Sequence, residues 1–115
     1  MTQLEEMGAD IRRFVTERGW DAHHNPKDLA MALAVEAAEV LEHFQWLTPE
    51  ESFHLSPEKR EQVGYELCDV LMGVIRVADL LQIDIPQAFT AKMAINRAKY
   101  PPDKVRGRAV KYTEL

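Results

Sequence analysis

Two long stretches that are apolar around most of a helix's circumference constrain this chain more than any other feature. One reads LAMALAVEAAEVLEHFQWL from Leu29 to Leu47, and the other LCDVLMGVIRVADLL from Leu67 to Leu81. A surface helix of a small domain needs one apolar stripe, whereas a helix apolar on most sides must be covered on most sides. A chain of 115 residues, 46% of them hydrophobic, has room for one modest domain and no second. A single copy would leave much of both stretches wet. The expectation is therefore an all-α fold over residues 1–115, a four-helix bundle whose core is completed by homo-oligomerisation as a dimer or tetramer.

The start and stop signals agree with four helices. Thr2-Gln3-Leu4-Glu5 has the pattern of a capping box, and apolar residues recur at Leu4, Met7, Ile11 and Phe14 until Gly19. Asn25-Pro26-Lys27-Asp28 supplies a cap, a first-turn proline and an acid for the positive end of a second helix, predicted to run to about Leu47. Thr48-Pro49-Glu50-Glu51 and Ser56-Pro57-Glu58 open a short turn and then a third helix over about 57–81. Asp84-Ile85-Pro86 starts a fourth, which Tyr100-Pro101-Pro102 must end, leaving residues 103–115 as a tail. Four cations and no acids lie between Lys104 and Lys111, a pattern usual in a solvated terminus. Strand signals are scarce, and nothing repeats at a fixed period.

Composition removes several classes of function. A net charge of −5 opposes binding to a nucleic-acid polymer, which calls for a broad excess of Lys and Arg. No apolar run approaches the length of a bilayer, and the N-terminus carries acids where a secretory signal needs apolar residues, so no membrane partner and a cytoplasmic location are expected. The single cysteine, Cys68, allows neither an internal disulfide nor a zinc site of several thiolates, and is expected as a small core residue.

Each apolar helix carries an acid pair three residues apart: Glu36 and Glu39 within the first stretch, Glu66 and Asp69 where the second begins. Residues at i and i+3 share a helix face, so neighbouring helices can bring all four carboxylates into one pocket. Crowded, partly buried carboxylates cannot all stay ionised unless their pKa values rise or a cation joins them. All-oxygen ligation favours Mg²⁺, with Mn²⁺ as substitute, over zinc. Solvated helix faces also carry such pairs, but they do not normally interrupt the most hydrophobic runs of a chain. A di-iron bundle would need Glu-x-x-His motifs, and the partners three residues on are Glu39, Glu42 and Asp69.

The pattern Glu36-x-x-Glu39, 26 intervening residues, Glu66-x-x-Asp69 resembles the signature of the MazG-like all-α nucleotide pyrophosphohydrolases. The ERGW segment ending at Trp20, His24 before Asn25-Pro26-Lys27, Glu42-His-Phe-Gln-Trp46, Lys92-Met-Ala-Ile-Asn96-Arg97, Tyr100-Pro101 and Lys111-Tyr-Thr-Glu-Leu115 are further similar to the dCTP pyrophosphatase subgroup. The resemblance implies hydrolysis of a (deoxy)nucleoside triphosphate to the monophosphate and pyrophosphate, in the service of nucleotide-pool sanitation. It implies Mg²⁺ on Glu36, Glu39, Glu66 and Asp69, with Glu39 the candidate catalytic base. It further implies Trp46 packing on the base, Trp20 and His24 lining the same pocket, and Lys92 and Asn96 near triphosphate and sugar. The sequence departs from the subgroup at Gly73, where a tyrosine is usual, and at Ile11, where a histidine is usual. A missing ring at Gly73 predicts broader or altered nucleotide choice. Two rivals fit the same residues: a non-catalytic helical interaction module, in which the acids are plain solvated charges, and the same fold acting on dUTP or phosphoribosyl-ATP.

Overall fold

The computed structural model describes residues 2–115. It is all helical, with no strand among them: α1 (Gln3–Glu17), a 3-10 turn at Asp21–His23, α2 (Pro26–Glu42), a 3-10 turn at Glu51–Phe53, α3 (Pro57–Leu80), α4 (Ile85–Lys99), the one-turn α5 (Pro102–Val105), and a last 3-10 turn at Tyr112–Glu114. The chain divides into two compact units, the first ending at Gln82 and the second spanning Ile83–Leu115.

The helix starts fall where the capping residues place them. Glu5 N–H donates to Thr2 Oγ1 at 3.2 Å and Thr2 N–H to Glu5 Oε2 at 2.9 Å, so both bonds of the capping box form. Asn25, Ser56 and Asp84 each accept the amide three residues on, at 2.9, 3.2 and 3.0 Å. A side-chain cap of this kind stabilises a helix by about 1 kcal/mol. Thr48 and Glu51 form the same reciprocal pair at 3.1 and 2.8 Å, which holds Glu51's carboxyl below the usual carboxylate range, chiefly through the Thr48 amide.

Two expectations are corrected. α2 stops at Glu42 rather than Leu47: His43, Phe44 and Leu47 N–H bond to carbonyls only three residues back, tightening the chain into turns before Pro49, which disfavours helix at Thr48. Cys68 is exposed, not part of the core.

In the first unit the main packing is α2 against α3, with α1 joining α3. Gly73 lies at this seam. A Cβ there would stand 3.1 Å from Leu33 Cδ1 and 3.6 Å from Leu33 Cα, so the missing side chain brings two helices close rather than simply leaving an open pocket. Val15, Val63, Ile75 and Ala78 are buried, and among the described residues no large side chain is fully so. Met31, Val35 and Leu41 on α2 and Leu67 on α3 stay more than half exposed. Each such side chain forgoes roughly half of the 1.5–3 kcal/mol that full burial contributes.

Candidate functional site

α2 and α3 bring Glu36, Glu39 and Glu66 together: one carboxylate oxygen from each lies within 4.8 Å of the other two. Among the described residues no other trio of potential ligands converges so closely. Asp69, one turn beyond Glu66, is exposed and stands outside this trio. Burial pushes the Glu36 carboxyl up to about 7, reinforced by a hydrogen bond with Glu39 and by the charges of Glu39, Asp69 and Glu66. Glu66 is raised by the same causes: burial first, then a hydrogen bond with Glu39, then the charges of Glu39 and Asp69. Glu36 Oε2 and Glu66 Oε2 are buried with no hydrogen-bond partner. Orphaned oxygens of like charge, one from each of two packed helices, are the donor set a hard divalent cation takes. The residues fit such an ion.

A cavity of about 190 Å³ adjoins the cluster, lined by Glu36, Asp69, Trp20, His24, Gly73 and Arg76 together with apolar side chains that include Ile11, Phe14 and Leu33. Gly19 sets the position of Trp20. Gly19 takes a left-handed conformation, φ 67°, and α1 closes with Gly19 N–H on Thr16 O at 3.0 Å and Trp20 N–H on Val15 O at 3.1 Å, the double bond of a Schellman ending. Trp20 then meets Phe14 edge-on at 5.7 Å and lies 6.3 Å from the His24 ring. Trp20 and His24 thus line one cavity with Glu36 and Asp69 within one unit.

Trp46 does not join it within one chain. It is 87% exposed and lines a different cavity, of about 510 Å³, with His43, Glu50, His54 and Lys59. Lys92 and Asn96 belong to the second unit, where they sit one turn apart on α4, Lys92 exposed and Asn96 half-buried.

Sequence reasoning missed Arg76. It is 7% exposed and lines the Trp20–His24 cavity. Its Nη1 faces Asp79 Oδ2 at 3.4 Å, and its Nη2 faces Asp21 Oδ1 at 3.6 Å and His24 Nδ1 at 3.4 Å. Asp79 also accepts from Arg12 at 2.8 Å, and Asp21 from Thr16 at 2.9 Å. The signal was available: an arginine inside an otherwise apolar helical run needs buried partners.

The helical architecture and the carboxylate trio at the α2–α3 seam define an all-α protein that gathers like charge where two helices pack. A profile of the MazG-like family matches residues 31–115, and the chain belongs to that family. It is 41% identical to dCTP pyrophosphatase 1 of Bos taurus and 41% to that of Homo sapiens, in each case over 92% of this chain and 66% of the relative. The chain therefore spans just under two thirds of the length of these relatives. Among solved structures, a pyrophosphatase of Archaeoglobus fulgidus superposes with a TM-score of 0.81 at 35% identity, covering 88% of this chain and 94% of that one.

Proposed function

We propose that this protein is a nucleoside triphosphate pyrophosphohydrolase, cleaving between the α- and β-phosphates to release the monophosphate and pyrophosphate. The observation that carries this reading is the convergence of Glu36, Glu39 and Glu66 with two buried, unpartnered oxygens. Solvated charges on an interaction module would turn those oxygens to water. The names of the relatives, dCTP pyrophosphatase 1 and an archaeal pyrophosphatase, support the same reaction.

Glu36, Glu39, Glu66 and Asp69 would hold Mg²⁺, or Mn²⁺ in its place. When bound, the ion supplies charge neutralisation at phosphate oxygens and makes a nearby water more acidic. Glu39 is the assigned proton acceptor: it stands in the trio beside Glu36 and Glu66, both of which hold protons more readily than an ordinary carboxylate. Trp20 and His24 offer the base a stacking face and a polar edge beside Glu36 and Asp69. Lys92 and Asn96 are assigned to triphosphate and sugar. Trp46, on a separate cavity of its own chain, would reach a base bound by another copy, in keeping with a homodimer or homotetramer covering the exposed apolar faces of α2 and α3. The names of the relatives favour deoxycytidine triphosphate or a related nucleotide as substrate.

The test is pyrophosphate release from a panel of canonical and modified triphosphates, with Mg²⁺ and with EDTA, repeated with Glu39→Gln. Metal-dependent turnover lost in the variant supports the reading; no turnover on any member, or turnover indifferent to EDTA, overturns it.

A further inference from the structure

Arg76 is over nine-tenths buried, yet no contact that holds it is short. Its Nη1 and Nη2 lie 3.4–3.6 Å from Asp79, His24 and Asp21, and its Nε is buried without a partner. Charge-assisted bonds normally close to about 2.7–2.9 Å, as Arg12 and Asp79 do at 2.8 Å. A guanidinium kept in this position serves something besides tight pairing.

Its Nη2 also faces the Nδ1 of His24 at 3.4 Å. Arginine has five donors, no acceptor and a permanent charge, so it can meet Nδ1 only as a donor to a lone pair. An imidazole accepting at Nδ1 carries its proton at Nε2. On the other side, the His24 ring is flanked by Trp20. Both Arg76 and His24 line the cavity beside Glu36 and Asp69.

We propose that Arg76 is a positioning residue that holds His24 as the Nε2–H tautomer, so that the cavity presents a hydrogen-bond donor and selects a base with an acceptor at that position over its deaza analogue. The selection rests on the nucleotide reading above; the tautomer does not. Asp21 and Asp79 complete the device by balancing the guanidinium charge from the turn after α1 and from α3.

The experiment has two arms on the full-length protein. In the first, ¹⁵N NMR of His24 is recorded at about pH 8.5, where an imidazole is neutral. The wild type is expected to show Nε2–H alone with Nδ1 shifted as an acceptor, and Arg76→Met to lose that acceptor shift while retaining its helical circular dichroism. A protonated Nδ1 in the wild type, or an Nδ1 signal unchanged in the variant, overturns the proposal whether or not any nucleotide is hydrolysed. In the second arm, kcat/KM is compared for a triphosphate that the protein hydrolyses and for its deaza analogues, in which a ring-nitrogen acceptor is replaced by C–H. Arg76→Met is expected to erode the ratio about tenfold, the scale of one lost hydrogen bond to a desolvated site, mainly through KM. Arg76→Lys should restore part of it, and in a His24→Gln background, whose amide keeps a donor without a tautomer, Arg76→Met should leave the ratio unchanged. A ratio eroded equally in both backgrounds would show that Arg76 acts without His24 and would overturn the assignment. If Arg76→Met does not fold, the wild-type spectrum decides alone, and a protonated Nδ1 there overturns the proposal.

Discussion

Two charge clusters that share α3 have opposite constructions. Glu36, Glu39, Glu66 and Asp69 gather four like charges at the α2–α3 seam and leave two oxygens buried without partners. Along α3, Arg12, Asp79, Arg76 and Asp21 alternate in sign across three elements and balance their own charge. A cluster that neutralises itself contributes to folding and asks for no ligand. One that cannot do so raises its own pKa values and is completed only from outside, which is what a binding site requires.

The comparison breaks most visibly if removal of metal is harmless. EDTA, or Glu39→Gln at saturating Mg²⁺, is expected to lower kcat at least about 100-fold, measured as pyrophosphate release. The self-balanced cluster should answer in stability instead. Asp79→Ala leaves Arg76 buried with only the distant Asp21 carboxylate, and should cost about 2–3 kcal/mol in urea unfolding, below the full cost of orphaning a buried ion because one partner remains. An unchanged unfolding midpoint would make the alternating ladder a bystander.

A smaller effect of opposite sign sharpens the contrast. Because Glu36 is raised to about 7 against an ordinary 4.5, the metal-free folded protein holds a proton there that the unfolded chain has already lost between those pH values. That advantage is complete below about 4.5 and gone above about 7, so metal-free stability should fall as pH rises through this window. Glu36→Gln should flatten the fall and raise the metal-free Tm at pH 8 by a few degrees, since about 1 kcal/mol moves Tm by roughly 4–8 °C in a domain near this size. Mg²⁺ should reverse the fall in the wild type. The smallest effect is Arg12→Ala, which removes a half-exposed partner of Asp79 and should cost about 0.2–1 kcal/mol.

How much of this was legible in the sequence depends on how far each feature reaches along the chain. Caps are local: Thr2, Asn25, Ser56 and Asp84 mark their helices because the bond each makes lies three residues away. The acid pairs were legible because three-residue spacing fixes a helix face, and two apolar helices of one chain must pack. The end of α2 was not, since HFQWL continues the apolar run and only the three-residue hydrogen bonds reveal the tightening turns. Nor was the separation of Trp46 from Trp20, which periodicity does not fix. The Arg76 ladder lay deepest, because it joins Arg12 to a residue 67 positions away and Asp21 to the far end of α3; no local rule pairs charges over that span.

Trp46 has one further consequence. An indole standing almost wholly in water emits at the red end of its range, whereas Trp20, wedged between Phe14 and His24, has a mixed and more sheltered setting. Anything that comes to cover Trp46, a nucleobase or another copy of the chain, must move its emission toward the blue. The protein thus carries its own optical gauge of occupancy, readable without a label.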